Sequence, residues 1–317
     1  MARAGMEMAG GGAIGIETLR GSAGRRRREG AIRWLFFSAA AFSIVVSLLI
    51  VTSLLDGTVD FLSKAPLSTL WNDTGWFPRR DLFDIKTILV GTLLVSFVAI
   101  LIAGPIGLGA AIYLSEYARP RARKVLKPIL EILAGIPSVV MGYFALTFIS
   151  PSIIQTIAPT APRFNLAAAG VGVGILIIPL MATIAEDALH AVPQSLREAS
   201  YGIGARRRAT SLRVVVPGAV SGLVAALILS LSRAIGETLV VSIAAGATGG
   251  SQFTLNVFGP GQTMTAAMTS LATGSDQVRG QGAAFPSLFF VGMLLFFITL
   301  GLNVVSERFV RRVRRRY

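Results

Sequence analysis

Residues 196–217 read LREASYGIGARRRATSLRVVVP, a polar, arginine-bearing segment set between two strongly apolar ones. Glu198-Ala199-Ser200 has helical composition, and Gly202 and Gly204 permit a sharp turn. Arg206 to Arg213 can begin a second helix, which Pro217 ends or kinks before the next apolar run. The pattern predicts a short helix-turn-helix on a membrane surface. A basic loop that only anchors topology is the simpler alternative, but charge content asks for neither Gly nor Pro at fixed offsets.

Composition supports the membrane. Of 317 residues 53% are hydrophobic and only 15% charged, too little polar surface for an ordinary soluble globule of this length. Cysteine is absent and His190 is the single histidine. A disulfide framework is excluded, no metal site built on thiolate or imidazole is expected, and His190 reads as an interface residue.

Taken in order, residues 1–30 are rich in Gly, Ala and Arg without a periodic apolar face and read as a disordered basic tail. Residues 31–317 read as one six-span domain. The first span, Trp34 to Leu55, has 22 residues without a charge, about 33 Å as a helix and enough to cross a bilayer. Further spans are expected at about Thr87–Leu114, Pro128–Ile149, Leu166–Ala185, Gly218–Ala245 and Phe285–Val305, making an all-α membrane protein. Residues 56–85 and 246–284 read as outer loops, and about 188–217 as the segment described above. Gly170, Gly172 and Gly174 give the fourth span a thin face for helix packing. Glu131 is expected to pair with Lys127, four residues earlier, and Gly135 and Pro137 to break or kink the third span.

Six spans place both termini on one side. Twenty-three of the thirty Lys and Arg fall on that side and six on the other, with Arg233 inside the fifth span. The positive-inside rule makes the first side cytoplasmic. The net charge of +14 is thereby distributed as topology requires, and a nucleic-acid partner is not indicated. No sequence repeat is evident.

Chemistry is sparse. No lysine follows a glycine, so a phosphate-cradling GxxxxGK[ST] loop is missing, and a Ser-His-Asp set is not expected around His190. The informative charges are Arg233 and Glu237, four apart in a run that is otherwise apolar. A charge in mid-membrane costs at least about 2.5 kcal/mol and persists where it meets a partner or a water-filled path. One reading is a structural ion pair. The other is a path for an oxyanion, in which the guanidinium offers forked donors, Ser232 and Thr238 add hydroxyls, and the carboxylate accepts a hydrogen bond from a protonated anion. A fully ionised sulfate has no such proton, which favours hydrogen phosphate.

Two resemblances add to this. Glu198-Ala199-Ser200, Gly204 and Val214-x-Val216-Pro217 resemble the cytoplasmic coupling loop of ABC importer permeases, with Ser200 in place of an Ala and valines in place of Ile and Leu. Leu133 to Gly142 (LAGIPSVVMG), Ser232 to Thr238 (SRAIGET) and Gln262 to Ala266 (QTMTA) are similar to segments of phosphate-specific ABC importer permeases, closer to the PstC type than to its PstA partner. The likeness covers about residues 30–310. It implies a type I ABC importer permease fold in a bacterial inner membrane and a non-catalytic subunit that binds no cofactor. The implied partners are a PstA-like second permease, a PstB-like cytoplasmic ATPase dimer using ATP and Mg, and a PstS-like extracytoplasmic phosphate-binding protein, with membrane lipid around the spans. It also implies that Arg233 and Glu237 are associated with phosphate passage. A permease for another oxyanion (sulfate, molybdate or phosphonate) and an ATP-independent carrier are the alternatives.

Overall fold

Backbone surrounded by lipid must satisfy its own N–H and C=O groups, so the apolar runs fold as helices. A computed structural model of the chain describes residues 23–246, 250–273 and 282–314. The expected disordered tail lies outside the described residues as far as residue 22. From Ala23 onward the chain is helical, so the tail expectation is corrected for residues 23–30. Two compact units divide the chain between Ser53 and Leu54.

The first helix, α1 (Ala23–Lys64), extends beyond the expected span at both ends and takes in Asp56 and Asp60, which had read as loop. Within its first unit Trp34, Phe36 and Phe42 are 70%, 69% and 70% exposed. An apolar surface of that size suits lipid and not water.

In the second unit, a short hairpin of β1 (Trp76–Phe77) and β2 (Leu82–Phe83) precedes α2 (Ile85–Tyr117). Beyond α2 come α3 (Pro120–Ala134), α4 (Ser138–Ile157) and α5 (Leu166–His190). The third span is corrected in its bounds, to Ser138–Ile157, and of the expected break or kink the structure shows the break. Gly135-Ile136-Pro137 does not kink a single helix but separates amphipathic α3, which has no fully buried residue, from apolar α4. Pro137 cannot donate to a continued ladder and biases Ile136 away from helical backbone, so the chain turns there.

Helices α2 and α5 form the centre. The small faces meet as expected, with Gly170 against Val98 and Gly174 against Ala99, and Ala99, Ala103, Ala168 and Val173 are fully buried between them. Helix α6 (Gln194–Gly202) and α7 (Arg207–Gly218) follow, and α7 bends by 69° into α8 (Val220–Ile235). The expected fifth span is broken as well: α8 stops at Ile235, and α9 (Leu239–Ala244) begins after Gly236-Glu237-Thr238. Sixteen residues of α8 reach only about 24 Å, short of a hydrocarbon core of about 30 Å, so the break falls at membrane depth. The long loop after α9 contains a further helix, α10 (Met264–Thr273), before α11 (Ala284–Arg314). Among the described residues five helices are long and apolar enough to cross a membrane, and six spans result if the bent α7–α8 pair is counted.

Candidate functional site

Helix α8 carries Arg233 in its last turn, and the break that follows holds Glu237. Their side chains meet at 3.6 Å between Nη2 and Oε2. The pair is asymmetric: Glu237 is 5% exposed and Arg233 58%. A buried carboxylate is stable only beside compensating charge or donors, so Glu237 fixes the guanidinium base while the rest of its donor fork stays open.

That fork faces a cavity of about 520 Å³ walled by α3, α5 and the α8–α9 break. Its charged lining is Lys127, Glu131, Glu186, Arg233 and Glu237, set among apolar Ile136, Leu176 and Leu180. Glu186, 1% exposed on α5, is already matched: Arg123 Nη2 lies 2.5 Å from Oε1 and Lys127 Nζ 3.7 Å from Oε2. His190, one turn on, places Nδ1 2.9 Å from the Glu186 carbonyl and Nε2 3.2 Å from Arg123. Arginine can only donate, so Nε2 accepts and Nδ1 carries the proton.

Several expectations change. Lys127 pairs with Glu186 and not with Glu131, because the C-terminal half of α5 presents a deeper, fully buried carboxylate; Glu131 instead lines the cavity. Ser232 is 3.4 Å from Asn303 Oδ1 on α11, and Thr238 turns back to the Gly236 carbonyl at 3.2 Å. Neither lines the cavity. The hydroxyls that do are Ser138, at the start of α4, and Thr183 on α5, which the sequence reading did not single out for this role.

The arginine-bearing segment folds as the predicted helix-turn-helix. Gly204 stands at φ 80°, a left-handed conformation open to glycine at little cost, and it reverses the chain between α6 and α7. Gly202 remains inside α6. Ser200 is buried and its Oγ lies 2.8 Å from Thr210 Oγ1, tying the two arms together. Glu198 and Ala199 face outward, Val214 and Val216 are half-buried, and Pro217 sits exposed just before the bend. Between the two valines, Val215 is the fully buried residue, packed with Leu189 and Val192.

Three residues missed by sequence reasoning stand out. Ile203 at the turn is 88% exposed, a large apolar group offered to whatever covers the segment. Arg197 is the reverse, drawn inward: it donates to the Leu189 and Val192 carbonyls at 2.8 and 2.6 Å and to Glu116 Oε1 at 3.0 Å. Glu116, buried at the end of α2, was the available signal, being a lone carboxylate closing an apolar run.

Comparison with known proteins identifies the family and the fold. The sequence profile of the family described as binding-protein-dependent transport system inner membrane component matches residues 103–317. The phosphate transport system permease protein PstC of Pasteurella multocida (strain Pm70) is 30% identical over 301 residues, 89% of this chain and 90% of that protein. PstC 1 of Mycobacterium tuberculosis (strain ATCC 25618 / H37Rv) is 32% identical over 256 residues, 75% of each chain. The probable ABC transporter permease protein YqgH of Bacillus subtilis (strain 168) is 36% identical over 190 residues, 60% of this chain and 59% of that one. Among solved structures, a bacterial ABC transporter involved in the import of alginate aligns with a TM-score of 0.62 at 17% identity, covering 91% of this chain and 99% of that one. The inward-facing MetNI methionine ABC transporter aligns with a TM-score of 0.52 at 21% identity, covering 72% and 93%. At these identities the structural likeness establishes the fold.

Proposed function

Because the chain belongs to the family of binding-protein-dependent transport system inner membrane components and has several helices long and apolar enough to cross a membrane, we propose that it is the permease subunit of an ATP-driven phosphate importer. The observation that carries this reading is a guanidinium held open to a membrane-depth cavity by a buried carboxylate. Relatives that match most of the chain are phosphate transport system permeases. Arg233 attracts the anion with forked, charge-assisted donors, and Glu237 accepts a hydrogen bond from the P–OH of a hydrogen phosphate. Net charge among the lining side chains is low, because Glu131, Glu186 and Glu237 oppose Lys127 and Arg233. The site therefore suits brief passage more than tight capture, and affinity belongs to a separate extracytoplasmic binding protein.

No nucleotide site belongs to this chain under the proposal. ATP and Mg are used by a cytoplasmic ATPase dimer that receives Glu198 to Gly204, and a second, related permease completes the path. Both termini and the α6–α7 segment face the cytoplasm of a bacterial inner membrane, as the distribution of Lys and Arg favours. Closure of the ATPase moves α5 through α8 and switches the path between outward and inward access.

The test is ATP hydrolysis by the full complex and its binding protein in lipid vesicles, challenged with phosphate, sulfate and molybdate. Stimulation by phosphate alone is expected. Stimulation by sulfate or molybdate in its place overturns the substrate, and phosphate uptake at full rate by the isolated chain overturns the coupling to an ATPase.

A further inference from the structure

The segment Gln262 to Ala266 stood out in the sequence, yet the cavity does not use it directly. We propose that Thr265 is a positioning residue for Glu237: its hydroxyl holds the backbone of the α8–α9 break so that the carboxylate meets Arg233. The proposal rests on reading Glu237 as part of the phosphate path.

A broken helix leaves carbonyls without ladder partners, and at membrane depth each needs a donor from elsewhere. On one side of the break the Gly236 and Glu237 N–H groups still bond back to Ser232 and Ala234, both at 3.2 Å. On the other, the first bond of α9 runs from Ser242 N–H to the Thr238 carbonyl at 2.9 Å. The Glu237 carbonyl falls between the two ladders, and Thr265 Oγ1 donates to it at 2.7 Å. Both residues are 5% exposed, so water does not replace this bond.

Thr265 is itself held. Its single hydroxyl proton goes to Glu237, so in the 3.1 Å contact between Thr263 Oγ1 and Thr265 Oγ1 the donor is Thr263. Thr263 Oγ1 in turn accepts from Ala266 N–H at 3.2 Å. The result is a directed chain of donors ending on the Glu237 carbonyl. The segment is also seated against α2: Met264 N–H bonds Thr92 Oγ1 at 2.9 Å, and a Cβ on Gly91 would stand 2.3 Å from the Gln262 carbonyl oxygen. The first turn of α10 thus reaches from the central helix to the backbone of Glu237, beside the Arg233–Glu237 pair.

The experiment uses the complete transporter in vesicles, with phosphate uptake and subunit assembly measured on the same preparations. Thr265→Val keeps the shape and removes the donor. It is expected to lower the maximal uptake rate about tenfold, the size of one lost buried hydrogen bond, with assembly unchanged. Thr265→Ser restores the hydroxyl and is expected to restore uptake. Because Thr265 acts through Glu237, adding Thr265→Val to Glu237→Gln is expected to cost nothing further. Wild-type uptake by Thr265→Val, loss of assembly in that variant, failure of Thr265→Ser to rescue, or multiplication of the two effects each overturns the proposal. Glu237→Gln alone separates it from the reading beneath. Wild-type uptake there removes Glu237 from the path, whereas an impaired Glu237→Gln beside an unimpaired Thr265→Val removes only the positioning role.

Discussion

Arg197 Nη2 lies 3.0 Å from Glu116 Oε1, with the two side chains 11% and 5% exposed. The same guanidinium bonds the Leu189 and Val192 carbonyls at the end of α5. One side chain therefore gathers α6 and the ends of both central helices. Cationic donors at a helix C-terminus meet its unpaired carbonyls and its dipole. Removing one partner of a buried pair costs about 3–5 kcal/mol. Arg197→Met is expected to lower the thermal midpoint of the purified complex and to raise ATP hydrolysed per phosphate imported. Adding Glu116→Gln is expected to recover part of the stability, because the stranded carboxylate is gone. A melting curve and a coupling ratio equal to wild type would count against the latch.

Gly204→Val forces a β-branched side chain into a left-handed turn, at a cost of about 1–2 kcal/mol. The expected result is ATP hydrolysis without uptake. Gly204→Asn, which tolerates that conformation, is expected to keep most coupling. The ratio of hydrolysis to transport in vesicles decides between them.

Arg233→Gln removes the charge and most of the donor fork. Phosphate uptake is expected to fall about tenfold to a hundredfold, the worth of a charge-assisted hydrogen bond, while the complex still assembles. Loss of assembly, restored by adding Glu237→Gln, would instead make the pair structural.

Ile203→Asp alters a side chain that is 88% exposed. Stability of the permease is expected to stay within about 0.5 kcal/mol of wild type. Recovery of the ATPase on purification is expected to fall sharply. Unchanged recovery would place the ATPase contact elsewhere.

Ser200→Ala breaks the tie to Thr210, whose hydroxyl keeps a second acceptor in the Arg206 carbonyl at 3.4 Å. The expected loss is about 1 kcal/mol in denaturant unfolding, with coupling largely retained.

The helix-turn-helix was legible because its determinants are local: a glycine with positive φ, and two helices that begin and end on nearby residues. The long spans were legible from length and hydropathy for the same reason. The partners of buried charges were not. Lys127 lies one turn from Glu131 in sequence, yet Glu186 is deeper, and only the packing of α3 on α5 brings the two together. The break at Gly236 was also hidden, since Gly218 to Ala245 is apolar enough to read as one helix. Its resolution depends on a threonine 28 residues away that supplies the missing donor. Ser232 and Thr238 flank the motif in sequence, but Ser232 on α8 turns toward Asn303 and Thr238 in the break bonds its own backbone, and the cavity takes its hydroxyls from α4 and α5.

Glu186 forms part of the cavity wall, and Leu189, whose carbonyl Arg197 grips, follows it on the same unbroken helix. About 4.5 Å of rise separates them. Under the proposed coupling, a stroke at the α6–α7 elbow reaches the chamber through less than one turn of continuous helix, a stiff rod with no loop between its ends.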